Sequence, residues 1–434
     1  MDPLSANLKL GSWNLKLEAL SVNRFPSGDE LPYKSLPPCP SRFWNWVMSG
    51  YRRMLIRRDH GVAEYEFQEI ERLKKLVDGG ARLLIAPNHA DHADGLALYR
   101  LAEEVGTLFC HMATHHLFEG SFGLRYFIFP RVGVFPIDRE GSALGTLRAA
   151  RDVLMRIGNP LVVYPEGEVY HTNDRLTPLR EGAAAMALTS QKALGGEAPV
   201  YIVPVALKYL FLRPEEAARR LAQQVTGMEE RFTFAPRPGQ SLLRRIHRLA
   251  SGILSLKELE HLGMRLSGTV PGRIVLLRDT LLERLESRHL GRLGSEPLPE
   301  RITAVHRRIV ERLRGGEMSE DAQAAGRRDL DILFLVLQLF SYPGDYVQEY
   351  PTVERIGETV VKLEQDLGGG RYIKPAGERR LTFRIGEPID MRDHVESKFR
   401  DAVPRVTRML AERLQGGLDD IGPGTHLQEL KANH

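Results

Sequence analysis

Cysteine is scarce in this chain of 434 residues, which contains only Cys39 and Cys110. Two cysteines provide neither a disulfide framework nor the CxxC pairs of a zinc site, and this scarcity favours a reducing compartment. The first residues also lack the basic region and the apolar stretch of a secretory signal peptide. We therefore expect a cytoplasmic protein.

Long hydrophobic runs are also missing. No segment approaches the roughly 20 consecutive apolar residues that a membrane-spanning helix requires, and the longest candidate, 330–340, is too short and carries Asp331. The formal net charge of +4 is only mildly basic, and no aromatic-and-basic RNA-binding motif accompanies it. This charge suits an anionic membrane surface or phosphorylated substrates, so we expect a soluble or peripheral membrane protein without a nucleic-acid partner.

Two common motifs of catalysis and phosphate binding are absent as well. The chain has no GxSxG nucleophile elbow, so an acyl-enzyme intermediate on serine is not supported. The small-residue run at 182–185 lacks the Gly-Lys-Ser/Thr ending of a phosphate-binding P-loop. We interpret this run as part of a helix that packs closely on a sheet.

The most informative stretch that is present is PNHADHADG, residues 87–95. It follows an apolar run at 83–86 that predicts a buried strand, and it precedes a helical pattern at 96–102. Open α/β sheets usually bind their ligands at such strand-to-helix turns. His89 with Asp94 is the minimal unit of a general base, because the carboxylate fixes the tautomer and stabilises the imidazolium that forms.

Asp91 and His92 in the same stretch allow a second interpretation, a metal site that also uses His89. The binuclear hydrolase pattern His-x-His-x-Asp-His would overlay on this stretch if residue 87 were histidine, but it is Pro87. No later cluster of ligands completes the set. We therefore expect no bound metal, and a metal-dependent hydrolase remains the less favoured alternative.

Three further blocks follow the first along the chain: GVFPIDR at 133–139, VYPEGE at 163–168 and YIVPVA at 201–206. In this order the four blocks resemble the glycerolipid acyltransferase family, whose type member is lysophosphatidate acyltransferase. The resemblance covers about residues 60–210, with a return at the segment LTFRIGEP, 381–388.

The resemblance implies an O-acyltransferase similar to a 1-acylglycerol-3-phosphate acyltransferase. It would move a fatty acyl group from acyl-CoA or acyl carrier protein to a hydroxyl of a lysophospholipid or glycerol phosphate, without a metal or prosthetic group. His89 would be the general base and Asp94 its orienting partner. Direct attack by the acceptor agrees with the absence of a serine elbow.

The family also implies which residues bind substrate. Arg139, in the block with Gly133, would bind the substrate phosphate, since a guanidinium suits a phosphate bidentately. Glu166 and Gly167 match the third block, where a carboxylate orders the acceptor or the His–Asp pair and a glycine lets the backbone approach a ligand.

The third block departs from the family pattern, because it continues Glu168-Val169-Tyr170 instead of Thr-Arg-Ser. The usual arginine is therefore missing. Lys208 or Arg180 could replace it, or the acceptor is not a simple lysophosphatidate. The departure also motivates a rival hypothesis, a protein that kept the fold and binds lipid at the membrane surface with weak or no turnover.

The chain as a whole alternates strand and helix patterns up to about residue 210 and then becomes rich in Arg, Leu and Glu at helical spacing. We predict an α/β acyltransferase core with a mixed, mostly parallel sheet flanked by helices, and a large, mainly helical insertion. The predicted divisions are a leader with an amphipathic helix at 1–58, the core at 59–210, the insertion at 211–379, and a returning strand with a C-terminal helix at 380–434.

Two helices are predicted before the first block. The segment 41–58 has five arginines and no acidic residue. On a helix, its apolar and aromatic residues (Trp44, Val47, Met48, Tyr51 and Leu55) would share one face, and a second face would be basic. This pattern is typical of an interfacial membrane helix, but a helix packed on the core with a solvated arginine face explains it too. The segment 61–78 predicts a second amphipathic helix.

Overall fold

Apolar strands alternate with helices to give a sheet that is covered on both faces. The computed structural model describes residues 36–118, 123–137, 143–235, 237, 239–315, 319–342, 344–367 and 373–428. Most of the predicted leader, Arg139 and the end of the chain from residue 429 lie outside the described residues.

Eight strands in the described part of the chain form a single sheet. They are β1 Val62–Gln68, β2 Arg82–Pro87, β3 Cys110–Thr114, β4 Val134–Ile137, β5 Leu161–Val162, β6 Val200–Phe211, β7 Arg379–Ile385 and β8 Ile389–Asp390. Their order is β1-β7-β6-β2-β5-β3-β4, with β8 beside β6. All pairs are parallel except β6 with β7 and β6 with β8. The predicted mixed, mostly parallel sheet is confirmed.

Helices pack on both faces of this sheet because each central strand is apolar on both sides. One face is covered by α1 Arg42–Arg58, α2 Ile70–Asp78 and α3 Asp94–Glu104, and the other by α5 Ala143–Asp152, α6 Gly182–Leu194 and α14 Phe399–Ile421. A short α4, Leu124–Arg131, precedes β4. Alternate residues of β2 serve the two cores: Leu83 and Ile85 face α3, and Leu84 and Ala86 face α6.

The insertion lies between the end of β6 at Phe211 and the start of β7 at Arg379, and its described residues between these two strands form helices and no strand. Its helices are α7 Pro214–Arg231, α8 Leu242–Leu262, α9 Val270–Leu290, α10 Leu298–Arg314, α11 Glu320–Phe340, α12 Tyr346–Glu349 and α13 Val353–Leu367. Helices α8 to α11 enclose an apolar core of their own, and α7, α8 and α13 form a second core beside the end of β6. In the part of the chain that the structure describes, no helix is both long enough and apolar enough to cross a membrane.

The single helix predicted over 61–78 is wrong. Residues 62–68 form β1, and only Ile70–Asp78 is helical. The helical spacing of apolar residues was overridden by tertiary pairing: β1 lies parallel to β7, and the rings of Phe67 and Phe383 stack with centroids 5.2 Å apart. Glu69, with a φ of 57°, adopts a left-handed backbone conformation that separates the strand from the helix.

The faces of α1 also differ from the expectation. Asn45 and Arg52 are buried, whereas Val47, assigned to the apolar face, is exposed. Arg52 lies over the ring of Tyr99 at 4.2 Å, donates to the Asn45 carbonyl at 2.9 Å and lies 3.8 Å from Glu103, while its Nε and Nη1 atoms are buried without a hydrogen-bond partner among the described residues. The basic face is therefore only partly solvated.

Candidate active site

The loop that follows β2 carries the His89–Asp94 pair at the carboxyl end of a central strand. The Nδ1 atom of His89 lies 2.8 Å from Oδ2 of Asp94, which is the first residue of α3. Asp94 is completely buried, while the His89 side chain keeps 18% of its surface exposed. The predicted spacing thus brings the imidazole and the carboxylate into direct contact, and part of the His89 side chain remains accessible.

Asp94 is held by two donors besides His89. Its Oδ2 accepts the Asp91 N–H at 3.0 Å, and its Oδ1 accepts the hydroxyl of Tyr209, a buried residue of β6. Burial and the nearby Asp94 and Asp91 carboxylates raise the pKa of Tyr209 well above its usual value, so the phenol remains a donor. The orientation of Asp94 is therefore fixed from two different elements.

These contacts determine what the His89 ring can do. A carboxylate only accepts hydrogen bonds, so Nδ1 of His89 carries the proton that faces Asp94, and Nε2 is left as an acceptor. The ring of Tyr164 stacks on the imidazole with centroids 3.9 Å apart. This arrangement presents one basic nitrogen in a fixed direction, as the abstraction of a hydroxyl proton requires.

Glu166 contacts the protein with both oxygens. Its Oε1 accepts the backbone N–H of His89 at 2.7 Å, and its Oε2 accepts both the N–H and the hydroxyl of Thr177. Burial raises the pKa of the Glu166 carboxyl, and these hydrogen bonds oppose that rise. The residue predicted to contact substrate thus lies beside the pair and positions the backbone that carries it.

Asn88 fixes the same loop from the other side. Its amide donates to the Leu207 carbonyl at 3.0 Å and accepts the Leu207 N–H at 2.7 Å, so the loop is joined to the middle of β6. Together, Asn88 and Glu166 fix the backbone at residues 88 and 89.

Gly167 has a φ of 82°, a conformation that favours glycine. The side chain of Arg180 passes directly over it, and a Cβ added at Gly167 would lie 2.7 Å from the Arg180 Nε atom. Arg180 is exposed. Lys208, the other proposed substitute for the missing arginine, is buried in an ion pair of 2.5 Å with Asp174 and is not available to a ligand.

Gly133 lies at the start of β4, whereas His89 follows the end of β2, and the connecting strands are parallel. Gly133 therefore lies at the amino-terminal ends of these parallel strands, whereas the His89–Asp94 pair lies at their carboxyl-terminal ends. Its φ is 96°, and an added Cβ would lie 2.2 Å from the Phe109 carbonyl oxygen. Packing alone explains a glycine here. Arg139, two residues after the end of β4, lies outside the described residues.

Asp91 and His92 are engaged within the protein. Asp91 pairs with Arg379 of β7 at 2.8 Å. Burial opposes its ionisation, but Arg379 and His60 outweigh burial and hold the Asp91 pKa well below its usual value. Burial lowers the pKa of His92 to about 4. Among the described residues, no group of three or more His, Cys, Asp or Glu side chains is placed to bind a metal ion.

Sequence reasoning missed Tyr209 and Arg379, which act on the loop from β6 and β7. A signal for Tyr209 was present, because Val205, Leu207 and Tyr209 alternate along β6 and face the same core as α3. Arg379 had no local signal, since its contact with Asp91 depends on how a distant strand returns to the sheet.

Comparison with known proteins gives one result for this site. Residues 64–208 match the family model described as Acyltransferase, which confirms the resemblance over the segment from β1 to β6. A search of curated proteins gave no match, and neither did a search of solved structures. The matched segment contains the His89–Asp94 pair, Glu166 and Gly167, and it excludes the helices from α7 onward.

Proposed function

We propose that this chain, whose residues 64–208 belong to the acyltransferase family, is an O-acyltransferase of phospholipid synthesis. Its donor would be acyl-CoA or acyl carrier protein, and its acceptor a lysophospholipid or glycerol phosphate, as for a 1-acylglycerol-3-phosphate acyltransferase. The observation that carries the proposal is the hydrogen bond of 2.8 Å between a partly exposed His89 and a fully buried Asp94.

In the proposed reaction, Nε2 of His89 takes the proton of the acceptor hydroxyl as its oxygen attacks the thioester carbonyl. The new C–O bond forms, the C–S bond breaks, and the proton passes from His89 to the thiolate that leaves. Asp94 stabilises the transient imidazolium, and Tyr209 and Glu166 are positioning residues. Such general-base help contributes about 100- to 10,000-fold to a rate, and the reaction as written needs no metal or prosthetic group.

For the acceptor phosphate we propose Arg180 as the ligand in place of the arginine that the third block lacks. Its side chain is exposed and passes over Gly167, the residue directly after Glu166, which accepts the His89 backbone N–H. A guanidinium binds phosphate oxygens in a bidentate manner. Replacing Arg180 by Ala should raise KM for a phosphate-bearing acceptor at least tenfold and change kcat little. Arg312→Ala, on the exposed side of α10, is the matched control.

We further propose a cytoplasmic protein that is peripheral at the membrane. This is supported by the α1 patch, the exposed residues Phe43, Trp46, Val47 and Met54, which share one side of the helix. Exposed Arg42, Arg53 and Arg57 flank this patch. Aromatic side chains with neighbouring arginines are suited to the interface of an anionic bilayer.

The deciding experiment is acyl transfer by purified protein, with labelled acyl-CoA and acyl carrier protein against a panel of lysolipids and glycerol phosphate. We expect product from one donor–acceptor pair and its loss in His89→Ala. A folded protein that binds vesicles and forms no product with any pair would overturn the enzymatic proposal. The departure at Glu168-Val169-Tyr170 would then favour the lipid-binding alternative.

A further inference from the structure

A cavity of about 440 Å³ lies where the insertion meets the core. The core contributes the segment 170–172, which follows Glu166 and Gly167, and the insertion contributes α8, the start of α9, α12 and α13. The volume falls within the range of about 300–1,000 Å³ of small-molecule binding sites. The family segment ends at residue 208, so most of the wall is a feature of this chain's insertion.

The wall of this cavity is mainly hydrocarbon. Its apolar side chains are Leu243, Ile246, Val270, Ile274, Val347 and Leu363. Lys362 also lines it, but its Nζ lies 3.2 Å from Asp366 and 4.6 Å from the centre of the Tyr342 ring, so this charge is satisfied within the wall. Polar side chains also line the cavity, among them Thr172, His247, Ser341, Gln348 and Thr359, but most of the wall surface is apolar, so the cavity suits an occupant that is mainly hydrocarbon.

At one end, His171 lies between the cavity and the loop that carries the His89–Asp94 pair. His171 lines the cavity, and its ring lies against the ring of His92 with centroids 5.2 Å apart. His92 is in the same loop as His89. At another side, Arg244 and His247 of α8 line the cavity and are exposed, so the cavity has access to solvent.

We infer that this cavity holds a fatty-acyl chain of the reacting lipids, and that residues of the insertion set the chain length accepted. The inference rests on the proposed function for the reaction at His89, and on the apolar wall for the nature of the occupant. An acyl chain whose reactive end lies at His89 would extend past His92 and His171 into the space between α8 and α13. The chain can come from the thioester donor or from the lysolipid acceptor.

The first test measures binding alone, with the full chain and a fluorescent fatty acid as the probe. Ala250 on α8 lines the cavity, and Ala250→Phe would fill part of it. We expect the Kd for the probe to rise at least tenfold. Leu256→Phe is the matched control, because Leu256 lies on the same helix and is 60% exposed. Equal probe affinity in the unmodified protein and in Ala250→Phe would overturn the inference.

A second variant protects the test against misfolding. Thr359 lines the cavity from α13, so Thr359→Phe fills the same space from another helix. Circular dichroism selects the folded variants. A folded Thr359→Phe that binds the probe as tightly as the unmodified protein would contradict the inference even if Ala250→Phe did not fold.

Two kinetic arms identify the source of the chain. Donors from butyryl to palmitoyl are compared at one acceptor, and acceptors of rising chain length at one donor. If the donor's acyl chain occupies the cavity, Ala250→Phe raises KM for the palmitoyl donor at least tenfold and leaves KM for the butyryl donor unchanged. If the acceptor's acyl chain occupies it, KM rises instead for the long-chain acceptors and is unchanged for the short-chain ones. Loss of probe binding in Ala250→Phe, with no turnover in the unmodified protein, would support the cavity and remove only the enzymatic proposal.

Discussion

The core and the insertion both bury carboxylates completely, but they give them different partners. In the core, Asp94 accepts hydrogen bonds from His89 and Tyr209. In the insertion, Glu258 is bound by Arg273 through two hydrogen bonds of 2.8 and 2.7 Å. An imidazole exchanges its proton near neutral pH, whereas a guanidinium does not. At Asp94 the core therefore places a buried charge where a proton can move, and at Glu258 the insertion uses a buried charge to fix two helices. The insertion also has a His–Asp pair, His289 with Asp329 at 2.8 Å, but there the carboxylate also accepts a hydrogen bond from Arg288.

Two buried ion pairs of the insertion each connect one helix to the next helix along the chain. Glu258 and Arg273 join α8 to α9, and Glu286 with Arg301 joins α9 to α10 through two hydrogen bonds of 2.8 and 2.7 Å. Each pair links two consecutive helices at one register. Buried pairs of this kind add little to stability compared with apolar residues, but losing one partner is costly. Activity and stability should thus depend on different residues.

The largest separation of the two properties is expected for His89→Ala. Without a base, acyl transfer should fall by about 100- to 10,000-fold. Asp94 keeps its hydrogen bonds from Tyr209 and the Asp91 N–H, so loss of the His89 contact should lower the free energy of unfolding by only about 1–3 kcal/mol. Steady-state transfer and urea unfolding measure the two quantities. A stability loss as large as the activity loss would show that the pair is structural.

Glu258→Gln should give the opposite result. It leaves Arg273, which is 2% exposed, without its carboxylate, so the free energy of unfolding should fall by about 3–5 kcal/mol. Acyl transfer at a temperature where the variant is folded should remain near normal. Glu260→Gln, at an exposed position of α8, is the control. Unchanged stability in urea would contradict the role assigned to this pair.

Tyr209→Phe tests whether Asp94 needs its second support. A hydrogen bond to a charged group contributes about 1.5–3 kcal/mol, so kcat should fall by about 10- to 100-fold with KM for the acceptor nearly unchanged. Tyr201→Phe, on the same strand, should leave kcat as it is. An equal loss in kcat for both variants would remove the positioning role.

The loss of stability at acidic pH should involve buried histidines in both the core and the insertion. Burial lowers the pKa of His111 in the core to about 3 and of His306 in the insertion to about 4. Between about pH 6.5 and 4 the unfolded chain binds protons at these residues and the folded chain does not, so the free energy of unfolding falls as the pH falls. His306→Gln should reduce this slope by up to about 1.4 kcal/mol per pH unit, measured by urea unfolding at several pH values. An unchanged slope would exclude His306 as a contributor.

The smallest effect is expected at the α1 patch. Trp46 is 74% exposed, so Trp46→Ser should weaken binding to anionic vesicles several-fold and leave the free energy of unfolding unchanged. Leu293→Ser, at an exposed position that follows α9, is the control for loss of an apolar side chain. Vesicle co-sedimentation measures the effect, and equal binding of both variants would mean that α1 is not the membrane contact.

The features that could be predicted from the sequence are those that depend on the spacing of nearby residues. A strand, a tight turn and a helix start bring His89 to Asp94, so five positions of sequence were enough to place the pair. Tyr209 and Arg379 come from strands that reach the loop only through tertiary pairing, and no local pattern specified Arg379. The same cause explains the error at 62–68, where pairing with β7 overrides a helical pattern.

The order of strands has a consequence for how the chain folds. In the described part of the sheet, β1 pairs only with β7, which lies between β1 and β6. During synthesis β1 therefore has no partner until the whole insertion has been made, and one edge of β6 stays open for the same time. Pairings between distant segments slow folding, and an open strand edge invites aggregation. A chain that stops before Arg379 should accumulate as aggregate, even though it already contains His89, Asp94 and Tyr209.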